Sequence, residues 1–316
     1  MKPYIIAEIG SNFSSKTDCM TSISLAKACG ADAVKFQLYT HKALYGFEGK
    51  LAGELPVEWL PKLKEKADAV GIDFMCSAFS PELLDVVDPL VKSHKVASAE
   101  CCHTEMLEKL RKITKPVFLS VGAQTLPDIE KSLEILGDET PVTIMYCEAS
   151  YPAKRIDLSK IQILRNEFKR PMGFSDHSLD LFTIPWAACH VFGAIVLEKH
   201  VNFCGVLSPD SPHSLTTAEF KDMVSTIRYR KSQEFVPTVD EQAMITTHKR
   251  RLIVTKDVEQ GEELLIGTHE CANFGIYRSL KPETRAASPF RVDDYNGRKA
   301  KRDLKAGDGL WVDDVE

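Results

Sequence analysis

Short apolar runs alternate with amphipathic segments of helical length along the first 235 residues of the chain. The cycle repeats eight times, which predicts an α/β fold of the (β/α)8 TIM-barrel type. A doubly wound open sheet would also alternate, but it usually has fewer strands and often a glycine-rich first turn. The first turn here, Gly10–Phe13, contains one glycine, so we favour the barrel. The predicted strands are Tyr4–Ile9, Ala33–Phe36, Phe74–Cys76, Lys95–Ala97, Val117–Leu119, Val142–Tyr146, Met172–Phe174 and Ala194–Leu197.

The pattern changes after the predicted catalytic domain of residues 1–235. Residues 236–250 are mostly polar and include Pro237, which indicates a linker. From residue 251 to residue 316, short β-like runs such as Leu252–Val254 and Leu310–Val312 are separated by turns, which predicts a small β-rich domain. A domain of this size is marginally stable alone, so we expect it to pack on another surface.

The composition narrows the class of protein. The chain has 316 residues, 44% of them hydrophobic, and a formal net charge of -5. It has no basic block and no apolar stretch of bilayer length, so we expect neither a nucleic-acid nor a membrane partner. The first residues read as a strand and not as a signal peptide, and the nine cysteines lack Cys-x-x-Cys spacing. Free thiols in a reducing compartment fit this pattern, so we expect a cytoplasmic protein.

Two histidines follow neighbouring predicted strands. His177 lies in Ser-Asp-His-Ser-Leu (Ser175–Leu179), and His200 ends Leu-Glu-Lys-His (Leu197–His200). Because the carboxyl ends of barrel strands meet at one rim, the two imidazoles could share a catalytic divalent metal. Either histidine alone is more often a structural residue, so the argument depends on the other groups at the rim.

Polar side chains end every predicted strand. Two lysines and several hydroxyls suit a substrate that carries phosphate and carboxylate, and Glu8 and Glu100 could act as general acid or base. A lone lysine at a strand end is commonly ion-paired, and a lone serine there commonly caps a helix. The prediction of a binding site therefore rests on the fact that all these residues lie at the same rim. Asp210 and His213, on a proline-rich loop, could reach the site or merely shape a turn. The rim residues are Glu8, Lys35, Gln37, Ser77, Lys95, Ser98, Glu100, Ser120, Tyr146, Glu148, Tyr151, Ser175, Asp176, Glu198 and Lys199.

These residues lie in short motifs whose order and spacing are specific as a set. The motifs are Ala7–Asn12, Ala31–Gln37, Ser77–Ser80, Lys95–Glu100, Ser120–Gly122, Tyr151–Pro152, Gly173–Leu179 and Leu197–His200. With them, the chain resembles the sialic acid synthases, N-acetylneuraminate synthase and its pseudaminic and legionaminic acid relatives, over nearly its whole length. The tail is similar to the antifreeze-like (SAF, β-clip) domain of that family, with Lys256–Val258, Gly261–Glu262 and Gly297–Ala300 in the expected order.

The resemblance implies a transferase reaction. C3 of phosphoenolpyruvate attacks the open-chain aldehyde of an N-acylated hexosamine, water adds at C2, and phosphate leaves with C–O cleavage. The product is a nine-carbon 2-keto acid. A divalent metal cofactor, Mn²⁺ or Mg²⁺, would lie on His177 and His200 and polarise the aldehyde.

The resemblance also implies roles for the remaining rim residues. Lys95, Ser98, Ser120 and Ser175 would hold the phosphate of phosphoenolpyruvate, with Lys35 and Ser77 near its carboxylate. Glu8, Gln37, Glu100, Tyr151 and Asp210 would line the sugar side. Glu8, Glu100 and Lys95 are the predicted catalytic residues, with Glu100 as a candidate proton carrier.

The chain departs from the family pattern on the sugar side and in the tail. Asn12–Ser15 replaces the usual Asn-His-Asn-Gly, Ala149 replaces an asparagine, and the loop after Gln37 is short. The acceptor is therefore left as N-acetylmannosamine or a modified relative. In the tail, Lys281 or Arg285, less favourably Arg278, would replace the family's arginine that reaches a partner subunit. We expect a domain-swapped homodimer.

Two other functions remain open from the residues. The barrel could be a Schiff-base aldolase that uses Lys35, Lys95 or Lys199. The chain could instead be a non-enzymatic sugar-binding or ice-binding-like protein, although a scaffold would not need the full set of rim residues.

Overall fold

A computed structural model describes residues 2–229, 241, 248–267, 269–278 and 285–316. The chain divides into two compact units, Met1–Arg230 and Lys231–Glu316. Most of the predicted linker, residues 236–250, lies outside the described residues, and so does Lys281.

The first unit is the predicted (β/α)8 barrel. Its eight parallel strands follow the order β3-β2-β1-β8-β7-β6-β5-β4, so β1 pairs with both β2 and β8, and β3 lies beside β4. This sequential order distinguishes the closed barrel from the doubly wound alternative. The strands are β1 (Tyr4–Glu8), β2 (Ala33–Leu38), β3 (Asp73–Ala78), β4 (His94–Val96), β5 (Val117–Ser120), β6 (Val142–Tyr146), β7 (Met172–Asp176) and β8 (Val196–His200).

Helices on the outside of the barrel connect successive strands. Several begin at caps that the sequence encodes: Ser15 with Asp18, Thr125 with Asp128, and Thr216 with Glu219 form reciprocal capping boxes. The helices are α1 (Lys16–Ala28), α2 (His41–Tyr45), α3 (Leu60–Val70), α4 (Pro81–Val87), α5 (Thr104–Ile113), α6 (Leu126–Leu136), α7 (Ser159–Phe168), α8 (Thr183–His190) and α9 (Thr217–Arg228).

The period of two along each strand divides the barrel interior into an apolar floor and a polar rim. Ile6, Met75, Met145 and Val196 form one buried apolar cluster, and the next inward positions on β1 and β8 are Glu8 and Glu198. At Gly173 a Cβ would lie 2.1 Å from the Met145 sulfur, so glycine at this position lets Met145 fill the floor. The polar rim is therefore closed from below.

The second unit has a core of its own. Strands β9 (Arg250–Val254) and β10 (Phe274–Arg278) pair antiparallel, and short β-bridges join the turns around them. Leu252, Phe274 and Tyr295 are buried in one apolar cluster. This agrees with a small β-rich domain, while its antifreeze-like type stays a prediction. Within the described residues, every helix is too short or too polar to cross a bilayer.

Candidate active site

Ten predicted site residues line one cavity at the carboxyl ends of the barrel strands. Strand alternation points the strand residues among them inward, whereas Ser98, Tyr151 and His177 follow strand ends, and Glu198, Cys147 and Ala97 complete the wall. The ten are Lys35, Gln37, Ser77, Lys95, Ser98, Ser120, Tyr151, Ser175, His177 and His200.

Two lysines and two glutamates form a buried ionic cluster at the base of this cavity. Lys35 Nζ lies 2.7 Å from Glu8 Oε2 and 3.5 Å from Glu198 Oε1, and Lys95 Nζ lies 3.6 Å from the same Glu198 oxygen. Burial opposes every one of these charges. Burial lowers the pKa of Lys95. At Lys35 the attraction of Glu198 and Glu8 is stronger than the effect of burial, so the pKa of Lys35 is raised. The cluster therefore keeps Lys35 charged and leaves Lys95 the more readily deprotonated lysine.

Among the carboxyl groups of the cluster, Glu8 has a strongly raised pKa. Burial raises its pKa to about 7, with Lys35 opposing the shift and Glu198 reinforcing it. Gln37 donates from Nε2 to Glu8 Oε1 at 2.7 Å and so fixes the carboxyl orientation. A carboxyl that titrates near neutral pH suits proton transfer.

The serines supply hydroxyls around the two lysines. Lys35 Nζ donates to Ser77 Oγ at 3.3 Å, and Ser175 Oγ donates to Glu198 Oε1 at 3.2 Å. Ser120 Oγ is buried without a hydrogen-bond partner, and Ser98 Oγ accepts the Gly122 amide at 3.0 Å. A buried hydroxyl without a partner beside cations is a donor available to an anion.

Three imidazoles face one another above the ionic cluster. The ring centroids of His177 and His200 are 5.7 Å apart, and His213 lies 4.7 Å from His200. His177 Nδ1 donates to the carbonyl of Glu148 at 2.9 Å, so the lone pair of its Nε2 is free for a ligand. His200 Nδ1 is buried without a hydrogen-bond partner. Burial lowers the pKa of His177 and, together with its two imidazole neighbours, that of His200, so both rings are neutral, as metal binding requires.

A second buried ion pair lies on the other face of the strands that carry His177 and His200. Lys199 Nζ lies 2.7 Å from Asp176 Oδ2, both side chains are fully buried, and Lys199 also donates to the Ser178 carbonyl. This pair ties β7 to β8 beside the two histidines. It also means that Lys199 does not line the cavity, which leaves Lys35 and Lys95 as Schiff-base candidates.

Asp210 lines a second, more open pocket beside the cavity. Its Oδ2 accepts the Ser11 amide at 2.7 Å and Ser11 Oγ at 2.8 Å. The pocket has a volume of about 410 Å³ and shares Gln37 with the first cavity. Its other lining residues are Tyr39, Leu44, Leu51, Ala52, Phe79 and Pro209, so most of its wall is apolar.

Two predicted site residues, Glu100 and Arg285, are not among the residues that line the cavity. Glu100 is partly exposed on the 3-10 turn Ser98–Glu100, and burial raises its pKa. Arg285 lies in the second unit with its guanidinium carbon 4.1 Å from the Trp311 ring centroid. Lys281 is outside the described residues.

The sequence placed Glu198 at the rim without a specific role, did not point to Cys147, and left open whether His213 reaches the site. Glu198 precedes His200 by two residues on β8, so strand alternation could have placed both on the inner face. Cys147 follows Met145 by the same spacing. His213 lies on the 3-10 turn Ser211–His213, and the direction of a side chain on such a short turn does not follow from a repeating sequence pattern.

Comparison with known proteins decides the family. Residues 22–234 match the model of the NeuB family. The chain belongs to the NeuB family. The family includes sialic acid-type synthases, which are enzymes of nonulosonic acid biosynthesis.

Relatives of this NeuB chain extend the match to both units. An uncharacterised protein of Methanocaldococcus jannaschii is 30% identical over 99% of this chain and 94% of its own length. The pseudaminic acid synthase of Campylobacter jejuni serotype O:2 is 29% identical over 100% of this chain and 97% of its own. The N-acetylneuraminic acid synthetase structure from Leptospira borgpetersenii has a TM-score of 0.68 and 27% identity, covering 78% of this chain and 90% of that one.

Proposed function

We propose that this NeuB chain condenses phosphoenolpyruvate with an N-acylated hexosamine to give a nine-carbon 2-keto acid and phosphate. The observation that carries the proposal is the cavity in which two buried lysines, several hydroxyls and facing histidines meet at one rim. Phosphoenolpyruvate carries a phosphate and a carboxylate, and this donor set matches both groups. The synthase names of relatives in the NeuB family support the same reaction.

The lysines and serines would hold phosphoenolpyruvate. In this proposal Lys95, Ser98, Ser120 and Ser175 bind its phosphate, while Lys35 and Ser77 face its carboxylate. Negative charge brought by the ligand would replace part of the stabilisation that Glu198 supplies to the two ammonium groups. Because Ser120 Oγ has no protein partner, a ligand oxygen would satisfy it without breaking an existing hydrogen bond.

The proposed reaction forms one C–C bond and breaks one C–O bond. C3 of phosphoenolpyruvate forms the new C–C bond to the aldehyde carbon, and the aldehyde oxygen takes a proton. Water adds at C2, the C2–O bond to phosphate breaks, and phosphate leaves with the bridging oxygen. Glu8, with its pKa raised to about 7, could give or take these protons at neutral pH. Glu100 stays a second candidate for the proton carrier, and Lys95 lies beside the reacting end.

A divalent cation fits the histidines. His177 has a free Nε2 lone pair, His200 has an unpartnered Nδ1, and both rings are buried and neutral. Mn²⁺ or Mg²⁺ held there would polarise the carbonyl of the acceptor. Tyr151, whose ring centroid is 4.3 Å from that of His177, would limit the space beside the acceptor.

The open pocket beside Asp210 would receive the acceptor sugar. Gln37 and Asp210 offer polar groups at its inner end, whereas Leu44, Leu51 and Phe79 offer apolar wall. An acceptor with apolar substituents, such as N-acyl methyl groups or a deoxy position, would bury them there. We therefore favour a modified relative of N-acetylmannosamine over N-acetylmannosamine itself.

The wider assembly is part of the proposal. We propose a homodimer in the cytoplasm, in which Lys281 or Arg285 of one copy reaches the barrel of the other. Light scattering on the full chain would show a dimer, and Arg285→Ala should raise KM for the sugar more than KM for phosphoenolpyruvate. An active monomer would refute this arrangement.

The reaction is tested by phosphate release. Phosphoenolpyruvate, Mn²⁺ and a panel of acetamido and diacetamido sugars should yield phosphate and a nine-carbon keto acid by mass spectrometry. With ¹⁸O at the bridging position, C–O cleavage sends the label into phosphate. No phosphate with any sugar, with or without Mn²⁺, would reject the proposal. Borohydride inactivation in the presence of pyruvate would favour the Schiff-base aldolase.

A matched pair of serine variants tests the binding site. Ser120→Ala removes a buried hydroxyl that has no protein partner, whereas Ser132→Ala removes one that donates to the Cys101 carbonyl on the outer layer. A hydrogen bond to a charged group is worth about 1.5–3 kcal/mol, so Ser120→Ala should raise KM for phosphoenolpyruvate by roughly 10- to 100-fold. Ser132→Ala should leave that KM unchanged. Equal KM values in the two variants would contradict the assignment of Ser120.

A further inference from the structure

His213 lies among the rim histidines although it belongs to a loop. It ends the 3-10 turn Ser211–His213, between β8 and α9, and only 3% of its surface is exposed. Its ring centroid is 4.7 Å from that of His200, 6.5 Å from that of His177 and 5.0 Å from that of Tyr151. The loop thus brings a third imidazole to the same space.

The protein leaves two nitrogen atoms in this space without hydrogen-bond partners. His213 Nε2 and His200 Nδ1 are both buried and unpartnered among the described residues. His213 Nε2 lies 3.5 Å from Asp210 Oδ1. Buried polar atoms without partners are rare and need an explanation, and a bound ion is one.

Asp210 adds an oxygen to the two nitrogens. Ligand atoms of His200, Asp210 and His213 all lie within 4.8 Å of one another. Two bonds of about 2.0–2.2 Å to one ion reach about 4.0–4.4 Å between ligand atoms, so a small side-chain rotation would bring all three atoms onto one ion. The backbone leaves room for this approach at Gly10, where a Cβ would lie 2.2 Å from Asp210 Oδ2 and 3.2 Å from His200 Nδ1. Ser11 holds Asp210 in place through two hydrogen bonds.

We propose that His213 is a ligand of the divalent cation, together with His200 and Asp210. This inference rests on the proposed metal-dependent function and extends its metal site beyond His177 and His200. His177, whose ring centroid lies 5.7 Å from that of His200, lies outside this close group and would join it by a side-chain rotation, giving three imidazoles and one carboxylate. Imidazole-rich sets favour transition-metal ions over Mg²⁺, which prefers oxygen ligands. The site is therefore a Mn²⁺-type site that discriminates against Mg²⁺.

Metal titration of the purified full-length protein, without substrate, tests the inference. Free Mn²⁺ is followed by its electron paramagnetic resonance signal, and heat of binding by calorimetry. Loss of an outer-shell partner typically costs metal sites about 10- to 100-fold in affinity, so His213→Ala, which removes a direct ligand, should weaken Mn²⁺ binding at least that much. His213→Asp, which keeps a ligating side chain, should recover part of the affinity. His190→Ala is the control, since His190 bonds the Ile227 carbonyl outside the site.

A spectroscopic count separates a ligand from a structural residue. With ¹⁵N-labelled histidine, pulsed resonance should show three coupled imidazole nitrogens in the parent protein and two in His213→Gln. The glutamine variant also replaces His213→Ala if the alanine variant fails to fold. Excess Mg²⁺ should fail to displace Mn²⁺, and displacement at equal concentration would overturn the ion preference.

The outcomes separate this inference from the proposed function. If His177→Ala and His200→Ala lose Mn²⁺ while His213→Ala and His213→Gln bind it as the parent does, the inference is wrong and the metal proposal stands. If phosphate release fails with every sugar but His213-dependent binding persists, the function is wrong and the inference stands. If the parent protein binds no Mn²⁺ at all, the inference and the proposed metal dependence both fail.

Discussion

Replacing Gly10 with alanine should damage the rim more than its size suggests. Gly10 has φ +55°, and an added Cβ would lie 2.2 Å from Asp210 Oδ2. The left-handed conformation alone costs alanine about 1–2 kcal/mol. Asp210 cannot move away freely, because its Oδ2 accepts two hydrogen bonds from Ser11. Losing one hydrogen bond to a charged group costs about 1.5–3 kcal/mol, so we expect a total loss of about 3–5 kcal/mol.

Gly205 provides the matched control. It has φ +66°, and a Cβ there would meet no atom within 4 Å, so Gly205→Ala carries only the backbone cost of about 1–2 kcal/mol. Urea unfolding compares the free energies of the two variants, and Mn²⁺ titration compares their metal affinity. We expect Gly10→Ala to be the less stable variant and the only one with weakened Mn²⁺ binding. Equal stability and equal metal affinity would refute the close approach of Gly10 to Asp210.

Two further predictions concern buried charge. Because the pKa of Glu8 is raised from 4.5 to about 7, the folded protein binds this proton more tightly than the unfolded chain does. The stability that results is complete below about pH 4.5 and is lost as the pH rises through about 7, so Glu8→Gln should show a smaller decline in unfolding free energy over that range. Urea titrations at several pH values measure this, and a steeper decline in the variant would contradict it. Lys199→Met leaves the Asp176 carboxylate buried without its ion-pair partner and should lower the free energy of unfolding by about 3–5 kcal/mol. Adding Asp176→Asn should recover part of that loss; no recovery would mean that the pair is not the cause.

The sequence was most informative where side chains lie on strands. Side chains alternate between the two faces of a strand, so the predicted strands were enough to place Lys35, Lys95 and His177 in the cavity. Glu198 obeys the same rule, but its importance depends on its distance from both lysines, which pairing of distant strands sets. The strand pattern therefore predicts which residues face inward and not which of them are ion-paired.

Loop residues were harder to predict for a physical reason. His213 reaches His200 because the loop after β8 folds back and is held by Ser211, Ser208 and Asn12. The bond from Ser208 to Asn12 joins residues far apart in sequence, and no local period encodes it. Glu100 shows the opposite case: it follows a motif at a strand end, yet the 3-10 turn leaves it partly exposed and outside the cavity lining.

The apolar floor of the barrel makes the candidate active site a well that is closed at its base. Among the described residues, Met145 and its neighbours block passage along the barrel axis, so we expect ligands to enter and leave past the histidines. A ligand bound at the lysines could then not leave while a second ligand is bound beside the histidines. For the proposed condensation we therefore expect ordered turnover, in which phosphoenolpyruvate enters first and phosphate leaves only after the sugar product. Product-inhibition kinetics would reveal this order, and random release would show that the floor opens.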